Sequence, residues 1–273
     1  MVNRHPAAIQ LTPTELLACW EALRLGETPV LFRLRRPGWT PAERAGADGL
    51  LREAMAGLSR RGLSDGSRPA PVLVGLLRVI AQADYHLDIR YANPSGAGRP
   101  VLGVGAVAGA QGAIVLSHDG AGPIRLRPLD GSRVAGALLD LLGPITPGEG
   151  TPVNIPADTL DTAASRLAKG DGFAALTDEL RALGVDRQAA NSLARMCSGI
   201  LGGGQLGATA RYGGPERRAP WVIGFHRTGS GHFMLLRKAG TVTVAPTDPQ
   251  RLAHQWRELT DALHTAPDLR VLA

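Results

Sequence analysis

Cysteine, lysine and aromatic residues are all scarce in this chain of 273 residues, and each scarcity rules something out. Cys19 and Cys197 are the only cysteines. Two thiols, each inside a helical pattern, exclude a disulfide framework and a zinc site built on four cysteines. Phe, Trp and Tyr make up 4% of the chain, so the core must rest on Leu, Val, Ile and Ala, which dominate a hydrophobic fraction of 44%. Lys169 and Lys238 stand beside twenty-eight arginines. The formal charge of +6 is scattered rather than gathered in runs, which argues against a nucleic-acid-binding stripe. No stretch reaches the ~20 apolar residues of a membrane span. The longest uncharged run, Val101 to His118, is broken by glycines and Gln111 and reads as buried sheet. Met1 to Gln10 shows no apolar segment of a secretory signal. A cytoplasmic protein without membrane insertion is expected.

What the chain does have is an internal echo. At an offset of 118 positions, Ile124-Arg-Leu-Arg-Pro-Leu-Asp130 falls on Val242-Thr-Val-Ala-Pro-Thr-Asp248, and the register runs on into a following helix. Residues 92–142 then share eleven identities with their counterparts, including Gly96/Gly214, Val104/Val222, Asp130/Asp248 and Leu141/Leu259. Chance predicts roughly five in a chain this rich in Ala, Leu, Gly and Arg. One unit built twice implies a pseudo-symmetric body, with halves at 1–143 and 144–273 joined through Gly143-Pro-Ile-Thr-Pro-Gly-Glu-Gly150.

Local signals fill in each half. Thr12-Pro13-Thr14-Glu15 and Thr40-Pro41-Ala42-Glu43 are capping boxes with proline at the first helical position, and Asp248-Pro249 opens a third helix. Leu16, Trp20 and Leu23 share one helical face, as do Leu252, Trp256, Leu259 and Leu263. Further helices are predicted near 41–61, 72–81 and 132–142, with three segments between 157 and 198. Period-two alternation marks strands at 30–35, 86–91, 124–127 and 241–244. Such alternation predicts antiparallel pairing with one face packed and the other wet. The fold class is therefore α/β (α+β): one pseudo-twofold body with a central antiparallel sheet and two helical bundles packed against it. The wet face would carry Arg33, Arg35, His86, Asp88, Arg90, Arg125, Arg127, Thr241 and Thr243, the description of a docking surface.

Catalytic signals are weak. Gly103 to Gly109 resembles a dinucleotide fingerprint, but the following Ala113-Ile-Val-Leu116 reads as strand, not as the helix that would hold a pyrophosphate. Gly202-Gly-Gly204 lacks the Lys and Ser/Thr of a phosphate loop and reads as a helix stop feeding a strand. Gly229-Ser230-Gly231-His232 is no nucleophile elbow. His226 and His232 flank a turn with no third ligand. The alternative to a binding protein is a metal-dependent enzyme using Asp84, His86 and Asp88 on one strand face. No cofactor is implied.

The same residues carry a family resemblance. Leu11-Thr-Pro-Thr-Glu-Leu-Leu17 with Trp20, then Gly26-Glu-Thr-Pro-Val-Leu31 and Thr40-Pro-Ala-Glu-Arg44, resemble the start of the EspG family, cytosolic chaperones of type VII (ESX) secretion in actinobacteria. Arg181-Ala-Leu-Gly-Val185, Ala189 to Gly199, Gly204-Gln-Leu-Gly-Ala208 and Thr243 to Leu252 are similar to later parts of that family. His226-Arg-Thr-Gly-Ser-Gly-His-Phe233 departs from the family pattern, where Asp and a Gly-Arg-Tyr run are common. The resemblance implies a non-enzymatic chaperone that binds PPE proteins, usually as PE–PPE heterodimers, at the tip of the PPE helical bundle. Homodimerisation of the free protein is left open. It implies contact through the sheet, the long loop of the first half and the C-terminal helical bundle. On this chain the loop is Asn93–Pro100, with Asn93, Ser95, Gly96, Gly98 and Arg99 as contact candidates. Arg90, Arg125 and Arg127 are neighbouring strand candidates, and Phe225, His232 and Phe233 are candidates from the second half.

Overall fold

The computed structural model describes residues 8–28, 41–92, 100–118, 123–167, 172–210 and 216–265. The strand predicted at 30–35, the capping box at Thr40 and most of the loop Asn93–Pro100 lie outside them. Two compact units emerge. The first comprises Met1–Asp88, Val101–Leu138 and Ala210–Pro215; the second comprises Ile89–Pro100, Leu139–Thr209 and Glu216–Ala273.

The first unit runs β1 (Ile9–Leu11), α1 (Pro13–Ala22), α2 (Pro41–Arg60), α3 (Pro71–Ala81), β2 (Tyr85–Ala92), β3 (Val101–Ala108), β4 (Gln111–His118), β5 (Ile124–Asp130) and α4 (Val134–Leu139). The second runs β6 (Val153–Pro156), α5 (Ala157–Arg166), α6 (Phe173–Ala182), α7 (Arg187–Cys197), β7 (Gly202–Ala210), the two-residue β8 (Arg217–Arg218), β9 (Ile223–Thr228), β10 (Gly231–Lys238), β11 (Thr241–Pro246) and α8 (Pro249–Thr265). Strand order is β1-β5-β4-β3-β2 in the first unit and β6-β11-β10-β9-β7 in the second, the same path strand for strand, with β8 appended to β7. Every pairing whose register is described is antiparallel. The end of β2, Ile89–Ala92, counts with the second unit, where it lies against β7.

Helix starts form where the sequence places them. The Thr12 hydroxyl accepts the Glu15 amide at 3.1 Å, and the Glu15 carboxylate accepts the Thr12 amide at 2.8 Å. Such a reciprocal cap stabilises by about 1 kcal/mol. Glu15 also pairs with Arg61 at 3.1 Å, tying the end of α2 to the start of α1. Asp248 caps α8 through the Arg251 amide at 2.8 Å. Asp186 caps α7 through the amides of Gln188 and Ala189, at 2.8 and 2.9 Å.

In each unit three helices cover one sheet face. Leu16, Trp20, Leu58, Leu73, Leu77 and Ile80 pack against Val104, Ala106, Val115, Ile124 and Leu126 in the first. Leu160, Leu180, Leu193 and Met196 pack against Ile155, Phe233, Val242 and Val244 in the second. The opposite face, expected to be wet, is also covered. Val134 and Leu138, both fully buried, sit where side chains at Gly105 of β3 would project, and Val134 does the same above Gly112 of β4. In the second unit the buried stripe Leu252, Trp256, Leu259 and Leu263 of α8 faces the sheet, and the Trp256 indole donates to the Gly207 carbonyl of β7 at 2.9 Å. Lys238, at the end of β10, lies 4.5 Å from the centre of the Trp221 ring and pairs with Glu258 of α8 at 3.0 Å. Accordingly His86 and Asp88 are buried rather than solvated. Period two survives at the start of β5, where half-buried Arg125 and Arg127 alternate with buried Ile124 and Leu126.

The glycine run at the start of β7 has a packing reason. A Cβ on Gly202 would strike the Tyr91 hydroxyl, and one on Gly204 would strike the Arg90 carbonyl, so β2 and β7 approach only because neither residue has a side chain. Gly204→Ala is therefore expected to lose at least about 2 kcal/mol in urea denaturation, because the obstacle is backbone. Gly136→Ala, on the open side of α4 with nothing near its Cβ position, should be neutral or stabilising by up to about 1 kcal/mol.

Candidate partner-binding surface

The sequence-predicted contact residues separate into three groups. Arg90 is exposed on β2, one residue before Tyr91. Arg125 and Arg127 flank buried Leu126 on β5 of the first unit. Asn93, Ser95, Gly96, Gly98 and Arg99 lie outside the described residues. The second-half candidates are interior instead. Phe233 has 0% exposure and Phe225 3%, and His232 is buried as well. β9, which carries Phe225, and β10, which carries His232 and Phe233, each run between two other strands, so their alternate side chains point into helical layers. Thr243, expected on the wet face, spends its hydroxyl on the Asn154 side chain at 2.6 Å.

These buried residues organise the unit from within. Phe225 stacks on Tyr91 with ring centres 5.7 Å apart, and the Phe233 ring lies over Gly148, where a Cβ would collide with it. Cross-strand from Phe233 is His226, its ring 5.6 Å away. His226 Nε2 donates to the Met196 carbonyl of α7 at 2.7 Å. His232 holds the segment between the halves: its amide donates to the Thr146 carbonyl at 2.8 Å, its Nδ1 meets that carbonyl at 3.1 Å, and its own carbonyl accepts from Gly148 at 3.1 Å. Burial pulls both imidazoles below the ordinary histidine value, with neighbouring His232 adding to the effect on His226 and Arg227 to that on His232.

Two exposed side chains were missed by the sequence reading. Ile200 is 44% and Leu201 46% exposed, in the link between α7 and β7. They precede Gly202, on which Tyr91 rests, so a pair of bare aliphatics borders the half-buried tyrosine and the chain next to exposed Arg90. The signal was two consecutive large aliphatics after Gly199, at a point where the helix pattern has stopped and no strand alternation has begun.

The catalytic alternative finds no assembly. His86 Nε2 donates to the Ile80 carbonyl at 2.9 Å, and the Asp84 carboxylate accepts the Gly109 amide at 2.8 Å, so each is engaged with backbone. Among the described residues no group of three His, Cys, Asp or Glu side chains could hold a metal. Burial raises the thiols of Cys19 and Cys197 to about 12 and about 11, leaving them protonated and unreactive at neutral pH. Among the described residues no helix is long and apolar enough to cross a membrane.

A strand order used twice and helical cover on both sheet faces define the fold of the chain. The structure matches the Mycobacterium tuberculosis type VII secretion system chaperone EspG5, solved in complex with a PE25–PPE41 dimer, with a TM-score of 0.72. The match covers 96% of this chain and 97% of that one at 15% sequence identity, and so establishes a shared fold. The EspG family model matches residues 12–258, and the chain belongs to the EspG family. No curated protein matches it.

The two buried histidines predict a pH response. A histidine whose native pKa lies below its unfolded value of about 6.5 favours the native state fully above that value and progressively less as pH falls. The thermal midpoint should therefore drop between pH 7.5 and pH 5.5, above the range where carboxylates protonate. His226→Phe should lower the midpoint at pH 7.5, because the Met196 carbonyl loses its donor, yet flatten the pH slope. Equal slopes in the two proteins would show that His226 is not the titrating group.

Proposed function

We propose that this chain is a stoichiometric chaperone that binds a PE–PPE heterodimer at the apolar tip of the PPE helical bundle and delivers the pair to a type VII secretion system from the cytoplasm. The observation that carries the reading is membership of the EspG family across residues 12–258. The shared fold with EspG5, a chaperone solved with such a dimer, supports it.

The physics of the surface is in keeping with that task. A helical tip with exposed apolar side chains aggregates unless covered. Ile200 and Leu201 supply exposed aliphatic area, and Arg90 adds a charge beside it. Residues 93–99 follow Tyr91 after a single residue and are proposed as a further contact with the client. Cover of this kind takes an interface of roughly 1,200–2,000 Å² and needs neither nucleotide nor metal. Arg125 and Arg127 are proposed as further contacts, since both retain partial exposure.

Mixing the protein with a purified PE–PPE pair should give a 1:1:1 complex in size-exclusion chromatography at micromolar concentration. Separate elution with every pair encoded beside its gene would sink the reading. Ile200→Asp/Leu201→Asp should weaken binding at least about tenfold while leaving the thermal midpoint within a few degrees, as expected for exposed positions. Replacing residues 93–99 by a short turn should also weaken binding without unfolding the protein. Unchanged affinity in either variant removes that segment from the interface.

A further inference from the structure

A second feature of the same unit is not used by that surface. Along the outer side of α7 runs a cavity of about 590 Å³, closed opposite by the segment Glu149–Thr151. Its size falls within the range of ligand sites, roughly 300–1,000 Å³, but apart from Gly150 every residue that lines it is polar or charged, with no large aliphatic or aromatic side chain among them, which suits a charged polypeptide better than an apolar small molecule. Arg187, Asn191 and Arg195 recur at four-residue spacing along the helix, with Gln188 and Ser192 beside them. The inner side of α7 is fixed by Ala190, Leu193, Ala194 and Met196, all fully buried, so the row stands on a rigid wall. Gly150, at φ 144°, brings the opposite segment against Met196, 3.3 Å from its Cβ position.

The electrostatics are specific. Among the described residues neither Arg187 nor Arg195 has an ion-pair partner, and both are exposed. Eight residues of helix separate them, roughly 12 Å along the axis. The far rim carries Glu149, also unpaired among the described residues. Asp186 is already committed to the amides at the start of α7, so the open helix end is not the attraction. A uniformly anionic phosphate backbone would meet Glu149 and be repelled. A helix bearing two carboxylates about two turns apart and one cation meets Arg187, Arg195 and Glu149 with opposite charges, while the Asp186 carboxylate, held below the usual carboxylate range by the amides of Ala189 and Gln188, stays turned to the start of α7.

We propose that this groove docks a mixed-charge helical segment of a partner polypeptide, its two carboxylates against Arg187 and Arg195 and its cation against Glu149. The inference rests on reading the chain as a polypeptide-binding protein and adds a contact that sets orientation rather than covering apolar surface.

The probe is a helix-stabilised peptide of about fifteen residues with glutamates eight positions apart and a central lysine, titrated into the full chain by fluorescence anisotropy. Wild-type protein should bind it, with affinity falling as salt rises. Arg187→Gln/Arg195→Gln should weaken binding about tenfold, as expected from losing two solvent-exposed ion pairs. The charge-reversed Arg187→Glu/Arg195→Glu should bind the peptide whose glutamates are replaced by lysines and whose lysine is replaced by glutamate only when Glu149→Lys is also present. Filling the groove with Ser192→Trp should abolish binding while circular dichroism stays native. No binding by wild type, or equal binding by the glutamine variant, overturns the proposal. Tighter binding of a duplex oligonucleotide than of the peptide also overturns it. PE–PPE binding, measured separately, decides the chaperone reading: a client that binds while the peptide does not removes the groove alone.

Discussion

Both faces of the sheet are packed, and that constraint shapes nearly everything else. A strand buried on two sides has no room for large side chains where a helix comes close. The chain answers with Gly105 and Gly112 under α4, while on α8 the Trp256 indole donates to the Gly207 carbonyl of β7. Closing the second face removes the broad solvated platform that alternating arginines and threonines suggested. What is left for a partner is the margin: strand ends, links between elements and the outer sides of helices. Ile200, Leu201 and Arg90 all sit at such margins, and so does the groove beside α7.

The two units solve one local problem with different residues. In each, the third helix ends by presenting its penultimate carbonyl, Ile80 in α3 and Met196 in α7, and in each a buried histidine donates to it. His86 does so from β2, His226 from β9. The two are not counterparts at the 118-residue offset. A helix end buried without a donor would leave a carbonyl unsatisfied at a cost of about 1–3 kcal/mol, so the requirement persists while its supplier changes.

Much of this was legible in the sequence where the cause is local. The capping box at Thr12, the cap at Asp248, the strands around Leu87, Ile124 and Val242, and the helical stripe Leu252–Leu263 all follow from spacing. The repeated end of each half anticipated strands and helices that take the same order in both units. The glycine-bearing run Val101–His118 was readable as buried sheet, but not why, because the helix that fills the space above Gly105 arrives from a distant part of the chain. The same blindness misplaced Phe225, His232 and Phe233. Alternation says that one side of a strand differs from the other, not that a helix waits on both. Ile200 and Leu201 went unnoticed because they lie in neither periodic pattern, and the four-residue spacing of Arg187, Asn191 and Arg195 is shared by any polar helix side. The family resemblance, resting on ordered short segments rather than one motif, was the stronger guide to function.

The border strands carry a further implication. β1 has three residues and ends the strand order of the first unit; β6 has four, ends that of the second, and is bracketed by Pro152 and Pro156. Proline lacks the amide that an incoming strand would need, and so short a border gives an added chain little to hold. Among the described residues the sheet therefore has frontiers that do not template polymerisation of the chain, and high local concentrations of it should stay free of fibrils.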